Sequence, residues 1–285
     1  FQGVRMGAKQ RAKAKATAER ARWKRLPGRA RVLVTVLTYA KQVGAEVLGW
    51  CCKAIPEMQD HPRAEAVAVG YTFGYPTDRM RNAVCKQALA QGYDFLLMLD
   101  DDVVPDLRLG SDPDARPFLP TALEYAYAQP GPVVVGAPYT GGPPAQRVMV
   151  MRDRDAQPDA PAGWGKKLDS FTREEAAVMT GFTRVSALPT GCMLIDLRCL
   201  SILPPPWFAY EYADPPFNTV LASTEDIVFS RNLSWLGVPQ ICAWSSWAGH
   251  AKPYVTDKPG LCPVDEVPAS IRKAWEAGWR PKEAG

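Results

Sequence analysis

The segment Tyr93-Asp-Phe-Leu-Leu-Met-Leu99, followed by Asp100-Asp101-Asp102, is the most informative part of the chain. Its apolar run has no helical periodicity, which is typical of a buried strand in a parallel sheet. In an open α/β sheet, ligands bind at the carboxyl ends of such strands. Carboxylates this close together raise one another's pKa, because their like charges repel one another. A hard divalent cation bound between them offsets this repulsion. The stretch therefore predicts a Mg²⁺ or Mn²⁺ site, with a helix N-cap or an acidic turn as the alternative.

Length and composition limit the class of protein. The 285 residues, 47% of them hydrophobic, are enough for one sizeable α/β domain with extensions. No apolar run approaches the roughly 18 residues of a membrane span, and the basic N-terminus lacks the apolar core of a signal peptide. Phe1-Gln2-Gly3 is typical of a cleaved tag. Seven cysteines without a C-x-x-C pair favour reduced thiols. We therefore expect a soluble, cytoplasmic protein.

The net charge of +4 is unevenly distributed. Residues 1–31 contain eleven Lys or Arg and one acid, Glu19, so this segment carries +10 and the rest of the chain −6. Basic arms of this kind contact nucleic acid or anionic surfaces. A solvated leader helix or a disordered terminus is the alternative.

Strands and helices alternate along the remaining sequence. We expect strands at 31–37, 64–69, 93–99, 132–136 and 147–152, and helices at 41–53, 77–91, 118–129 and 226–236. This alternation predicts an α/β fold with a mainly parallel central sheet flanked by helices. Residues 138–180 are loop-rich and predict an insertion or flap.

Several motifs follow one another in a fixed order. They are Arg81-Asn82, the D-x-D pair Asp100/Asp102, Thr190-Gly-Cys-Met-Leu-Ile-Asp196, Pro206-Trp-Phe208, Glu225-Asp226 and Gly249-His250. This ordered set resembles the nucleotide-sugar glycosyltransferases of the GT-A fold, close to the family-two-like enzymes. The resemblance implies a GT-A (Rossmann-like) catalytic domain at 31–256, between a basic N-terminal arm at 1–30 and a C-terminal extension at 257–285.

The resemblance also implies a nucleotide-diphosphate sugar as donor and a metal that binds its diphosphate. Asp100, Asp102 and His250 would be the metal ligands, and an imidazole beside carboxylates favours Mn²⁺ over Mg²⁺. The cation would act as a Lewis acid on the departing diphosphate. The implied donor-binding positions are Thr38, Tyr39, Arg81, Asn82, Asp100, Asp101 and Gly191. A structural histidine and a solvated helix face are the alternatives for His250 and Arg81.

Glu225-Asp226 resembles the E-D motif of the family, in which the aspartate of an inverting enzyme is the catalytic base. A carboxylate can take the proton of an acceptor hydroxyl as its oxygen attacks the anomeric carbon. The alternative is that both acids stabilise the start of the helix at 226–236. The two interpretations are compatible, because such a cap would aim the carboxylate into the cleft.

The acceptor is the least constrained part of the prediction. By the resemblance, Trp207, Phe208 and Tyr210 line the acceptor side, where aromatic rings can stack on a sugar or a base. Core packing is the alternative for these residues. The motif order also resembles that of phage-encoded sugar transferases, some of which modify hydroxymethylated pyrimidines in DNA. Double-stranded DNA as partner would explain the basic arm. A saccharide, lipid-linked or protein acceptor is the competing hypothesis.

Two further hypotheses lie outside sugar transfer. A nucleotidyltransferase also uses a D-x-D and a divalent metal, but Leu37-Thr-Tyr-Ala-Lys41 lacks the glycines of its usual signature. The second hypothesis is a nucleic-acid-binding module without catalytic activity, in which the acidic residues of these motifs have structural roles only. The sequence does not predict an oligomeric state.

Overall fold

The computed structural model describes residues 23, 25–39, 42–74, 77–142, 146–153, 168–213, 219–251 and 255–256. Most of the predicted basic arm, the whole C-terminal extension and part of the predicted flap therefore lie outside the described residues. None of the helices in these ranges has the length and hydropathy of a membrane span.

The helices of the described ranges come in chain order as follows: α1 Ala45–Gln59, α2 Thr77–Ala90, α3 Phe118–Tyr127, α4 Arg173–Ala177, α5 Arg198–Ile202 and α6 Glu225–Trp235. The strands are β1 Ala30–Thr38, β2 Ala64–Phe73, β3 Phe95–Asp100, β4 Val103–Val104, β5 Val134–Gly136, β6 Met151–Asp153, β7 Leu168–Ser170, β8 Phe182–Val185, β9 Cys192–Asp196, β10 Glu211–Tyr212, β11 Leu221–Ser223, β12 Gln240–Ala243, β13 Gly249–Ala251 and β14 Val255–Thr256.

A seven-stranded sheet forms the centre of the molecule, in the order β2-β1-β3-β9-β5-β12-β8. The pairs β1–β2, β1–β3 and β5–β12 are parallel. β9 runs antiparallel to both β3 and β5, and β8 runs antiparallel to β12. Five strands thus share one direction and two oppose it, so the predicted α/β fold with a mainly parallel sheet is confirmed.

The apolar strands are buried because helices cover both faces of the sheet. Alternate residues of β1 point to opposite faces: Val32 and Val34 pack in the cluster with α1 and α3, whereas Leu33 and Leu37 pack in the cluster with α2 and α6. All apolar residues of β3 are at most 1% exposed. A strand buried on both faces needs a continuous apolar run, which is the pattern that β3 has in the sequence.

The structure departs from the predicted elements in two places. Helix α1 begins at Ala45 and runs to Gln59, rather than from residue 41 to 53, although Pro56 lies inside it. Burial of its apolar face against the sheet outweighs the low helix propensity of proline. The strand predicted at 147–152 is reduced to β6, which pairs with β7 as a hairpin, while Val148 makes a single bridge to Thr140.

Candidate active site at the carboxyl edge of the sheet

The three consecutive aspartates leave β3 between two other strand ends. The Asp100 backbone N–H donates to the Gly191 carbonyl (3.0 Å), and the Asp101 N–H donates to the Leu37 carbonyl (3.1 Å). Leu37 belongs to β1, and Gly191 directly precedes β9. The turn that carries Asp100, Asp101 and Asp102 is therefore held at the carboxyl edge of β3, where α/β sheets bind ligands.

A small antiparallel sheet brings His250 to this turn. Strand β13 pairs with β4, with His250 opposite Val103. The Ala251 N–H donates to the Asp102 carbonyl (2.6 Å). His250 Nε2 consequently lies 3.2 Å from Asp102 Oδ2. Two of the three predicted metal ligands are thus in direct contact.

The hydrogen bond of the other ring nitrogen, Nδ1, bears on whether the contact between His250 Nε2 and Asp102 is favourable. Nδ1 lies 3.0 Å from the Thr140 carbonyl, which can only accept a hydrogen bond, so Nδ1 carries a proton. In a neutral ring, Nε2 then directs its lone pair at the Asp102 carboxylate, which is unfavourable. An imidazolium or a cation shared by the nitrogen and the carboxylate removes the repulsion. A backbone carbonyl that orients a histidine in this way is typical of metal sites.

Arg81 is buried beneath the aspartates and links them to helix α6. Its guanidinium donates to Asp100 Oδ1 (3.2 Å) and to Glu225 Oε1, and the residue is 4% exposed. Burial alone would lower the pKa of Arg81, but the charges of Asp100 and Glu225 outweigh it and raise the pKa. The predicted contact of Arg81 with a donor diphosphate is therefore replaced by contacts with two protein carboxylates.

The two carboxylates bound by Arg81 are themselves perturbed. Burial raises the pKa of Asp100; Arg81 opposes this shift, and the charge of Asp102 adds to it. Burial likewise raises the pKa of Glu225, with Arg81 opposing and Asp226 adding to the shift. Both carboxyl groups thus hold protons more firmly than exposed ones, and added positive charge near Asp100 and Asp102 would stabilise the ionised forms.

Helix α6 presents Glu225 and Asp226 differently. Glu225 is 6% exposed and faces Arg81. Asp226 is half-buried, and its Oδ1 accepts hydrogen bonds from the Thr224 hydroxyl and from the Ile227 N–H (2.8 Å). The predicted helix-start role and the predicted role of Asp226 in the cleft are thus compatible. Glu225, by contrast, belongs to the buried ion-pair network.

Tyr139 is a central residue of the site that the sequence reasoning missed. It is 6% exposed, and its hydroxyl accepts a hydrogen bond from the Gly191 N–H (3.2 Å). Burial raises its pKa well above the ordinary value, and the charges of Asp100 and Asp226 add to this shift. Tyr139 follows β5 by three residues, so the rule that pointed to the aspartates after β3 could also have pointed to it.

Gly191 is required by this close packing. A Cβ atom at position 191 would lie 2.5 Å from Tyr139 Oη and 2.9 Å from Val103 Cγ2. These separations are below any real carbon contact, so the chain can approach Tyr139 here only as glycine. Gly191 thus permits close packing against Tyr139, and its contact with the donor stays a prediction.

Asn82 and Thr38, both predicted to bind the donor, are engaged by the backbone instead. The Asn82 amide nitrogen donates to the Asp78 and Phe208 carbonyls (both 2.7 Å), and its oxygen accepts from the Trp207 N–H (2.8 Å). The Thr38 hydroxyl donates to the Gln42 carbonyl (2.7 Å). These hydrogen bonds use both side chains to hold loops. Their donor-binding role is not supported.

Tyr39 is an exposed aromatic residue at this edge. Its ring is 56% exposed, and its hydroxyl is hydrogen-bonded to the Thr77 hydroxyl at the start of α2. A ring held at its hydroxyl and open on its face can stack on a planar group. Of the two predicted donor-binding residues at the end of β1, Thr38 and Tyr39, Tyr39 is the accessible one.

The structure places Trp207 and Phe208, both predicted to line the acceptor side, in the core. Trp207 is 8% exposed, and its Nε1 donates to the Leu200 (3.2 Å) and Leu203 (2.8 Å) carbonyls. Phe208 is fully buried and stacks on Phe229, with ring centroids 4.3 Å apart. Both rings therefore belong to the core, as the alternative interpretation had it.

Tyr210 is half-buried beside Glu225, and burial raises its pKa to about 12. It is therefore neutral at physiological pH and can act as a hydrogen-bond donor. Among the three predicted acceptor-side aromatics, Tyr210 is the one that keeps accessible surface.

Within the described ranges, no three His, Cys, Asp or Glu side chains are arranged closely enough to hold a metal ion as they stand. The donor set nevertheless fits a hard divalent cation. Asp102 Oδ2 and His250 Nε2 lie 3.2 Å apart, and burial, together with the negative charges of Asp102 and Asp101, raises the pKa of Asp100. One imidazole among several carboxylates is a ligand set that suits Mn²⁺.

No protein-family model and no curated protein matches the chain. Its structure is similar to the crystal structure of A197 from STIV, with 17% identity, a TM-score of 0.48 and coverage of 78% of this chain and 86% of that one. It is also similar to the crystal structure of GalNAc-T7 with UDP, GalNAc and Mn²⁺, with 11% identity, a TM-score of 0.41 and coverage of 92% of this chain and 56% of that one. A third similar structure is apo UDP-glucose pyrophosphorylase, with 9% identity, a TM-score of 0.37 and coverage of 85% of this chain and 80% of that one. At these identities and TM-scores the likenesses carry no argument about function, which has to be inferred from the site.

Proposed function

We propose that the protein is a metal-dependent glycosyltransferase of the GT-A type. It would move a sugar from a nucleotide-diphosphate sugar to an acceptor hydroxyl with inversion at the anomeric carbon. The observation that carries this proposal is the contact between Asp102 and His250, beside Asp100 and the Arg81–Glu225 ion pair. Ligands suited to a divalent cation thus lie at the carboxyl edge of the sheet together with an accessible carboxylate, Asp226.

Asp100, Asp102 and His250 are the residues that would hold the cation. When bound, it supplies positive charge to the departing diphosphate. Arg81 holds Asp100 and Glu225 in place from below, and Thr140 orients the His250 ring. These contacts fix the ligands before the donor arrives, which is how preorganised sites limit reorganisation during the reaction.

Asp226 is the proposed general base. Its Oδ1 is held by Thr224 and Ile227, so we assign the proton transfer to Oδ2. As Oδ2 takes the acceptor hydroxyl proton, the acceptor oxygen bonds to the anomeric carbon, and the bond from that carbon to the diphosphate oxygen breaks. Tyr39, exposed at the edge, would contact the nucleotide, and Tyr210 would face the acceptor.

The acceptor that we favour is a hydroxymethylated pyrimidine in DNA. The support is the charge of the sequence, because a +10 segment at 1–31 precedes a −6 remainder. Lys and Arg contacts with phosphates supply most non-specific DNA affinity. The competing acceptors are a saccharide, a lipid-linked sugar and a protein.

Metal dependence tests the proposal. We expect EDTA to abolish release of nucleotide diphosphate from a panel of nucleotide sugars, and Mn²⁺ to restore it. Asp102→Ala should reduce turnover by about a hundredfold or more, because the cation loses a ligand. Asp114→Ala, at an exposed acid of the neighbouring loop, is the matched control and should keep wild-type turnover. Full turnover in EDTA would contradict the proposal, and release of pyrophosphate from a nucleoside triphosphate would indicate a nucleotidyltransferase instead.

A further inference from the structure

A pocket of about 400 Å³ lies where β6, β7 and the start of α4 meet, and none of its lining residues belongs to the candidate active site described above. This volume is within the usual range of small-ligand sites. Its lining combines apolar walls with charged groups and includes Arg147, Val148, Met151, Asp169, Phe171 and Arg173. We call this cavity the hairpin pocket, because β6 and β7 form one of its walls.

Backbone pairing places the hairpin pocket next to His250. Val148 bridges Thr140, and the Gly141 N–H donates to the Arg147 carbonyl (2.8 Å). The Thr140 carbonyl is the group that orients His250. Paired chains lie about 4.8 Å apart, so the pocket wall is within roughly 10 Å of the His250 ring. A ligand the size of a nucleotide can span this separation.

Arg173, which lines the hairpin pocket, is held by Gln146, a buried residue with a strained backbone conformation. Gln146 is 3% exposed and has φ = 41°, in the left-handed region that non-glycine residues seldom adopt. Its side-chain oxygen accepts a hydrogen bond from the Arg173 guanidinium. Such a conformation is unfavourable for a residue with a side chain and persists where the surroundings impose it, often at functional sites.

A second arginine, Arg152, contacts Phe171 of the pocket lining. Arg152 donates to both carboxylate oxygens of Glu175 (2.7 and 2.8 Å), and its guanidinium stacks over the Phe171 ring at 4.8 Å. Glu175 also closes the capping box that starts α4. The pocket is thus framed by a fixed hairpin and a fixed helix start.

We propose that the hairpin pocket binds a phosphate group of the acceptor. Among the described residues, the lining contains two arginines, Arg147 and Arg173, and one acid, Asp169, so these residues carry a net positive charge within an otherwise acidic remainder. Guanidiniums bind phosphate oxygens in pairs with charge-assisted hydrogen bonds. That the phosphate belongs to the acceptor depends on the proposed glycosyltransferase function. That the pocket binds phosphate depends only on the residues that line it.

Residue-resolved protection from phenylglyoxal tests the pocket without any transfer reaction. This reagent modifies accessible guanidiniums, and peptide mass spectrometry measures the rate at each arginine of the full-length protein. We expect inorganic phosphate to slow modification of Arg147 several-fold relative to chloride at equal ionic strength. Arg184, an exposed arginine of β8 outside the pocket lining, is the matched control and should be modified equally in both salts.

Two variants and two further ligands complete the test. Arg173→Gln should remove the protection of Arg147 by phosphate, whereas Arg184→Gln should retain it. Equal protection of Arg147 and Arg184, or none, overturns the proposal even if sugar transfer is demonstrated. Protection at lower concentration by a short oligodeoxynucleotide than by a sugar phosphate assigns the phosphate to nucleic acid, and the reverse order assigns it to a phosphorylated saccharide.

Discussion

At the scale of single residues, Tyr139 joins the parts of the site that come from different strands. We expect Tyr139→Phe to reduce transfer by about tenfold, because the Gly191 N–H loses its acceptor and the packing between Asp100 and Asp226 relaxes. The free energy of unfolding should fall by only about 1 kcal/mol, since one hydrogen bond is lost. Steady-state kinetics and urea denaturation measure the two effects.

Tyr125→Phe is the matched control, because Tyr125 is a half-buried tyrosine of α3 whose ring lies against Phe182. It should leave transfer unchanged. Equal losses of transfer in both variants would show that Tyr139 acts through general stability alone.

The product's stereochemistry tests the role of Asp226. If Asp226 is the base of a single displacement, the product linkage is inverted relative to the donor. Asp226→Asn should keep donor binding and lose transfer by about a hundredfold or more, because the amide cannot take a proton. Nuclear magnetic resonance of the anomeric proton in the first product determines the configuration. A retained configuration would remove Asp226 from this role.

Individual site residues differ in how far the sequence could predict their positions. Asp100 and Asp102 were predictable because they directly follow a buried apolar run. The contacts of Asn82 were not predictable, since its hydrogen bonds reach the backbone of Trp207 and Phe208, more than a hundred positions away. Such long-range satisfaction of a polar side chain has no local signal.

At the scale of secondary-structure elements, Asp106 ties two helices to the turn after β4. Its Oδ1 accepts from the Phe118 N–H at the start of α3 (2.6 Å), and its Oδ2 accepts from Trp50 Nε1 in α1 (2.7 Å). We expect Asp106→Asn to lower the free energy of unfolding by about 1–3 kcal/mol, because the new amide N–H₂ faces one of these donors. Asp114→Asn, in the same loop, is the control and should change stability little.

The difference in the free energy of unfolding between the wild type and Asp106→Asn should depend on pH. Burial raises the pKa of Asp106 above its ordinary value of 3.8, so the folded chain binds this proton more tightly than the unfolded chain. The stability that protonation contributes is fully present below 3.8 and is lost as pH rises through the folded pKa. Asp106→Asn cannot ionise, so the advantage of the wild type over the variant should shrink with rising pH. Urea denaturation across this range measures it, and a growing advantage would contradict the assignment.

Strands and helices were predictable where one face or both faces are buried. The buried run of β3 and the alternation of strands with helices gave the correct fold class. The strand expected at 147–152 was shortened because Val148 and Val150 are buried by the core without a continuous ladder. An apolar run predicts burial more reliably than it predicts pairing.

At the scale of the whole molecule, we expect DNA binding and nucleotide-sugar hydrolysis to depend on different parts of the chain, because the basic residues are concentrated in the N-terminal segment. Residues 1–22 contain seven Lys or Arg against Glu19. Deleting them should weaken binding to duplex DNA and flatten its dependence on salt, because fewer counterions are released. The deletion stops before Trp23, since Trp23 Nε1 lies 3.1 Å from the position of a Cβ at Gly131. Nucleotide-sugar hydrolysis should be unchanged, as the catalytic residues lie beyond position 37.

Fluorescence anisotropy at several salt concentrations measures DNA binding, and labelled donors measure transfer to DNA that contains hydroxymethylcytosine or hydroxymethyluracil. A matched variant in which Lys9, Lys13 and Lys15 become Gln keeps the length of the arm and should weaken binding in the same direction. Unchanged binding in both variants, with transfer to a saccharide, would move the acceptor to the saccharide class.

The close packing of Gly191 against Tyr139 has a consequence for how this sequence can diverge. The two positions are 52 residues apart, yet a side chain at 191 would clash with both Tyr139 and Val103. Among relatives, a chain with a tyrosine at 139 should therefore keep glycine at 191, and a larger residue at 191 should come with smaller residues at 139 and 103. Gly28 and Gly49, where an added Cβ would meet nothing within 4 Å, should drift without such a partner.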